Sequence, residues 1–244
     1  MNQTIQTLLS HSSVRSYSDQ TVNDEIVETL LKCAQAASSS HFIQAYSIIQ
    51  IKNTQIRHKI ASYLDHPKHI IESPLYFVFV ADLSRHKRIT EIHNIEMASL
   101  ESEALLIASV DATLAAQNMF VAAESLGMGG VYTGVLRNTP YEISKLLNLP
   151  DYSFALFGLC LGYPNHTNEI KPRLPIKEIH HVDVYDKEKS LQNLEEYNLV
   201  MQEYYANRST NNKYEVWTLS IARYFSKTLR PIMNSFFKSI GFKL

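Results

Sequence analysis

The chain has 244 residues, 45% of them hydrophobic, only 7 Gly and 8 Pro, and 23 Lys and Arg against 24 Asp and Glu for a formal charge of −1. That composition excludes a disordered or fibrous chain and supplies enough apolar surface for one large core. The near-zero charge nominates no nucleic-acid partner. Two cysteines, Cys33 in LLKCAQAA and Cys160 in FGLCLGYP, offer neither a disulfide framework nor zinc-ligand spacing and are expected to be buried thiols.

The opening MNQTIQTLLSHSSVRSYSD has no apolar stretch behind a basic start, so a cytoplasmic, reduced protein is expected. Ile26, Val27, Leu30, Leu31, Ala34 and Ala37 repeat at the spacing of one helical face and predict a helix over about 23–37, with Thr21 and Asp24 placed as a capping box. SIIQIKN (47–53) and PLYFVFVAD (74–82) are β-branched and aromatic runs that predict strands, the second buried on both faces, with a short helix at HKIASYL between them. From Leu105 to Ala123 the chain is apolar enough to suggest a membrane span, but Ser109, Asp111, Thr113, Gln117 and Asn118 interrupt it. An aspartate near a bilayer centre is costly, so this stretch is read as a central buried helix over about 101–126, ended by the glycines at 127–130. VYTGVL (131–136) predicts a strand or extended turn, Pro140 to Leu147 a short helix, and SFALFGLCLGYP (153–164) a last strand.

Helices flanking a few apolar strands make an α+β domain over 1–185. Residues 186–244 lose the strand alternation and are read as a helical extension, with NRSTNNK (207–213) as a polar break. The extension carries nine Lys and Arg against six acids, and from Arg208 onward seven cations against Glu215 alone. Its aromatics, among them Tyr204, Tyr205, Trp217, Phe236 and Phe237, require cover from the chain's own body or a second subunit. A basic face meeting acidic lipid or nucleic acid is the competing reading, and solvated surface or an anion clamp the preferred one.

No GxGxxG follows a strand, and GxxxxGK[ST], GxSxG and HExxH are all absent, which leaves dinucleotide-fold, P-loop, serine-hydrolase and zinc-protease readings without support. What the sequence offers is anion-binding chemistry in separate places. His11, Ser12, Ser13 and Arg15 put an imidazole, two hydroxyls and a guanidinium fork within five residues, a set that suits a phosphate. Ser38, Ser39, Ser40 and His41 end the first helix with donors for a polar heterocycle. Lys171 and Arg173 stand on the proline-stiffened KPRLP. Taken singly, each is as well explained as a surface loop.

Together and in this order, these pieces resemble the nitroreductase superfamily, in its group of NADPH-dependent FMN oxidoreductases, oxygen-insensitive nitroreductases and flavin reductases. The likeness runs through H-x-S-x-R at 11–15, the serine run at 38–40 with FIQ at 42–44, AAESLGMGGVYTGVLRN at 122–138 and LFGLCLGYP at 156–164. It continues in KPRLP at 171–175, YYANRSTNNKYEVW at 204–217 and KTLRP at 227–231. The resemblance implies a three-layer fold with a central mixed, mainly antiparallel sheet. It also implies a homodimer that holds FMN noncovalently at the subunit interface, the extension embracing the partner.

By the same resemblance His11, Ser12, Ser13 and Arg15 meet the FMN phosphate and flavin edge, and Lys171 and Arg173 complete the anion site. Ser38, Ser39, Ser40 and His41 line the ribityl chain and ring, and the backbone of Tyr132, Thr133, Gly134 and Val135 approaches the isoalloxazine. Arg208 and Lys213 fall on the contacts to the NADPH 2′-phosphate, and Arg230 on a mobile substrate-side arginine. Pro67 stands where the family often has glutamine, and Val135 where it has a second glycine. The implied activity is ping-pong transfer from NADPH to nitroaromatics, quinones or free flavin, with no essential protein acid, base or nucleophile. The alternatives are a reductase that supplies reduced FMN or reduces disulfides and other oxidants, and a flavin-binding protein without turnover.

Overall fold

The computed structural model describes residues 1–63, 68–189, 191–208 and 214–244. Pro67 and Lys213 therefore lie outside the described residues. Two compact units are resolved: Met1–Asn168 together with Arg230–Leu244, and Glu169–Leu229.

The first unit is built on a four-stranded sheet in the order β1-β2-β4-β3, with β1 Tyr46–Gln50, β2 Leu75–Asp82, β3 Gly129–Thr133 and β4 Ser153–Gly162. All three strand pairings are antiparallel. A parallel bridge from Ser13 to Gly130 adds the mixed character. β2 is buried along its whole length because alternate side chains enter different layers. Tyr76, Val78 and Val80 pack with Ile60, Ile70 and Ile143, from α3 Thr54–Ala61, α4 Lys68–Glu72 and α7 Pro140–Leu146. Leu75, Phe77 and Phe79 pack with Leu30, Met119 and Phe120, from α2 Asp24–Gln35 and α6 Ser102–Ser125. Helices on both faces of one sheet give the expected three layers.

α6 is long and apolar enough to cross a membrane by length and composition. Its small-residue face, Ala104, Ala108, Ala112, Ala115, Ala116 and Ala123, is instead buried in the protein together with Asp111, and alanine lets the helix lie close to α2 and the sheet. Leu126 closes the helix and Gly127 follows at φ +77°, the left-handed turn that glycine adopts at little cost.

Several local expectations change. The N-cap of α2 is Asn23, whose side chain accepts from Ile26 N at 2.9 Å, so the Thr21–Asp24 box does not form: the first turn begins two residues later than that pattern requires. Cys160 is fully buried and its thiol is pushed up to about 12. Cys33 is only partly covered, because it stands on the flank of α2 rather than on its core stripe. VYTGVL divides between β3 and a 3-10 turn over Gly134–Asn138. Among the helices outside the predicted set, α1 Gln3–Leu9 and α5 Ser84–Ile92 have no buried residue; neither has a core stripe for periodicity to reveal.

The chain ends in the first unit. α11 Ile232–Ser239 and the residues after it bring Met233, Phe236, Ile240 and Phe242 into a cluster with Leu83, Ala104, Ala108 and Phe154. The second unit carries α8 Ile176–Ile179, α9 Leu194–Asn207 and α10 Trp217–Phe225. Its core is a small cluster of Tyr197, Met201 and Tyr205, with Leu174, Tyr204 and Trp217 against it.

Candidate functional site

The segment 11–17 runs alongside β3. Val14 N donates to Gly130 O at 2.8 Å, and the Tyr17 hydroxyl donates to Val14 O at 2.9 Å. Val14 and Tyr17 point inward and are buried, whereas Ser13 and Arg15 are exposed. The extended backbone thus turns the hydroxyl and the guanidinium outward together, since i and i+2 share a side. A Cβ on Gly130 would collide with the Cys160 carbonyl, so only glycine permits the strand pairing at this point. The side chains of Ser12, Ser13 and Arg15 make no hydrogen bond or ion pair among the described residues.

His11 is differently placed. Its Nδ1 lies 2.6 Å from Glu124 Oε1, with side-chain exposures of 28% and 11%, and its ring meets Phe120 edge-on at 5.1 Å. Burial pushes the Glu124 carboxyl above the usual range, against the pull of its bond to His11. Tyr132 packs edge-on between Phe120 and Phe157, and its phenol is raised by burial and then by the Glu124 charge.

The serine run at 38–41 forms a braced turn. Ser39 donates to Asp111 Oδ2 at 2.7 Å and accepts from Gln44 N at 2.7 Å, while Ala45 N donates to the same Asp111 oxygen at 2.9 Å. His86 contacts Ile43 O through Nε2 at 2.7 Å. Between these clamps His41, Phe42 and Gln44 adopt φ of 49°, 57° and 54°, a conformation that non-glycine residues hold only when the surroundings impose it. Ser38, Ser40 and His41 are exposed, and Phe42 is 79% exposed. Ser39 is therefore committed to holding the turn, and its neighbours are the ones left to face a ligand.

Beyond β3, Thr133 is buried with Oγ1 3.3 Å from the Tyr76 hydroxyl, and Val135 is buried. Gly134 lies between two guanidiniums: a Cβ there would stand 3.3 Å from Arg137 Nη2 and 3.7 Å from Arg230 Nη2. Arg230, at φ 46°, donates through Nε to Asn138 Oδ1 at 2.9 Å.

In the second unit Lys171 Nζ stands 5.4 Å from the centroid of the Tyr205 ring and the Arg208 guanidinium 4.8 Å from the same ring. Tyr197 donates to Pro172 O at 3.1 Å, docking KPRLP on α9. Arg173 is exposed. Arg208 is the C-cap of α9, and its position is set by that helix end. Sequence reasoning gave Glu124, Asp111 and Tyr205 no role at the site, because their partners His11, Ser39 and Lys171 are distant along the chain.

The model of the nitroreductase family matches residues 8–163, and that of its C-terminal domain matches 171–244. A Cr(VI) reductase of Pseudomonas sp. (strain G-1) is 40% identical over 96% of this chain and 97% of its own length. An FMN reductase (NADPH) of Bacillus subtilis is 35% identical over 99% of both. Among solved structures, the NADPH:FMN oxidoreductase of Vibrio harveyi complexed with NAD+ superposes with a TM-score of 0.89 at 33% identity, covering 98% of each chain.

Proposed function

This chain belongs to the nitroreductase family, and on that premise we propose that it is an NADPH-dependent FMN oxidoreductase reducing nitroaromatics, quinones or free flavin. The observation that carries the reading is the 11–15 segment, locked by its backbone to β3 with Ser12, Ser13 and Arg15 uncommitted among the described residues. An uncompensated guanidinium beside two hydroxyls is a donor set for a phosphate, so the residues fit FMN. In this assignment His11, Ser12, Ser13 and Arg15, with Lys171 and Arg173, take the phosphate. Ser38, Ser40 and His41 line the ribityl chain and ring, Ser39 fixes their turn, and the backbone from Tyr132 to Val135 lies against the ring. FMN, when bound, supplies two-electron redox chemistry that no side chain here offers. The protein binds, orients and shields.

Arg208 and Lys213 are assigned to the 2′-phosphate of NADPH and Arg230 to the substrate side. The Arg208 guanidinium over the buried Tyr205 ring supports an anionic group of the co-substrate there. The Cr(VI) reductase relative favours a second reading of the acceptor, an inorganic oxidant in place of an organic one. Reoxidation rates with each acceptor class decide between them.

A homodimer is part of the proposal. Leu106, Val110 and Leu114 lie exposed at i, i+4 spacing on α6, and Ile5, Leu8 and Leu9 on α1 are exposed as well, an apolar display that a second copy of the chain would cover. Of the extension 186–244, the part before Arg230 is assigned to the partner and the NADPH site, its end being covered by the chain's own first unit, and the domain 1–185 is assigned to FMN. Free Cys33 and Cys160 suit the cytoplasm, where thiols stay reduced. A visible spectrum of the purified protein, before and after anaerobic NADPH, tests the reading: a yellow protein bleached by NADPH is expected. A folded sample that takes up no FMN from excess would sink it.

A further inference from the structure

The contact between His11 and Glu124 joins residues 113 positions apart, one on the anion-binding segment and the other in the last turn of α6. We propose that Glu124 is a positioning residue for His11: its carboxylate accepts a hydrogen bond from Nδ1–H and fixes the ring so that Nε2 is the edge left for the FMN phosphate. The proposal rests on the functional reading above.

Three observations carry it. The 2.6 Å separation is that of a charge-assisted hydrogen bond. Phe120 meets the ring edge-on, which limits its rotation from a second side. Nε2 has no hydrogen-bond partner among the described residues, while the side chain keeps 28% of its surface exposed. A ring held at one nitrogen and against one aromatic, with the other nitrogen open, is the arrangement that presents a single directed imidazole edge.

The surroundings add no rival for the Nδ1 proton. α1, which precedes His11, has no charged side chain in QTIQTLL. From β3 the titratable neighbour of Glu124 is Tyr132, a phenol raised by burial and by that carboxylate, and its hydroxyl donates to Gln117 at 3.3 Å. Arg15 is the cation on the same segment as His11 and is exposed. Burial pushes the Glu124 carboxyl up, and the bond from His11 opposes that rise.

The test has two arms. In the full-length wild-type protein, with FMN bound and after its removal, ring nitrogen NMR of His11 is expected to show a protonated Nδ1, retained in Glu124→Gln and lost to a mixture of ring forms in Glu124→Leu. FMN dissociation constants, read from quenching of flavin fluorescence, are expected to stay within about 3-fold of wild type for Glu124→Gln and to weaken about 10-fold or more for Glu124→Leu, the scale of one charge-assisted hydrogen bond. In a His11→Ala background, Glu124→Leu is expected to add nothing further. A carboxylate that only fills space would give the opposite order, with leucine tolerated as well as glutamine. An unprotonated Nδ1 in the wild type, or full FMN affinity in a folded Glu124→Leu protein, overturns the proposal. A wild-type protein that binds no FMN yet shows the protonated Nδ1 overturns the functional reading and leaves the positioning of the ring standing.

Discussion

The two units hold their cations in different ways. In the first, Arg15 stands on a backbone bonded to β3, and β3 is paired to β4 in a sheet covered on both faces. In the second, Lys171 and Arg208 rest on one tyrosine of a cluster with three buried members. Secondary structure positions one set, and a few side chains position the other. The placing of Arg15 should therefore survive side-chain changes that spare the sheet, whereas the placing of Lys171 and Arg208 should answer to a single ring.

The comparison breaks most severely at the sheet itself. Phe79→Ala removes a fully buried ring from β2 and is expected to cost about 3–5 kcal/mol of global stability, measured by denaturant unfolding, with FMN lost in parallel. Arg208→Ala is expected to weaken NADPH by ~1–3 kcal/mol, on the scale of hydrogen bonds to charged groups, and NADH far less. Equal weakening of the two nucleotides, by titration, would remove Arg208 from the 2′-phosphate. Tyr205→Leu keeps an apolar residue and removes the π face under Arg208, so NADPH affinity is expected to drop by about 0.5–2 kcal/mol. An effect confined to stability would show that the ring packs the cluster and does not steer the cations.

The smallest expected effect is a pH dependence at Glu124. Its carboxyl is raised by burial in the folded protein, so the native state holds the proton more tightly than the unfolded chain, whose glutamates titrate at about 4.3. Between that value and the raised one, this group favours folding as pH falls, and the contribution disappears as pH rises through the window. The stability of wild type minus that of Glu124→Gln is expected to decline over that window in paired melts. A flat difference would mean that the bond from His11 cancels the effect of burial.

What the residues alone revealed follows a physical division. α2 buries one face at helical spacing, and β2, α6 and β4 are apolar runs, so periodicity marked the first and apolar continuity the others. α1 and α5 bury nothing and left no pattern to find. The candidate site divides in the same way. The hydroxyls and cations at 11–15 and 38–41 are local in sequence and could be singled out by type, although only the resemblance joined them. Asp111 was noted only as an interruption of an apolar run, yet its carboxylate binds Ser39, 72 residues away, and spacing carries no trace of such a contact. The cap of α2 shows the limit within one turn, because Asn23 and Thr21 both have suitable oxygens and only backbone geometry selects between them.

α6 carries both Asp111, beneath the 38–45 turn, and Glu124, against His11. Thirteen residues at helical rise separate them by about 20 Å, so a single rigid rod spans from the His11 segment to the 38–45 turn. Inserting one residue between them would swing one carboxylate by about 100° around the axis relative to the other. Length variation among natural or engineered versions of this molecule should accordingly fall in its loops and spare the interval from 111 to 124.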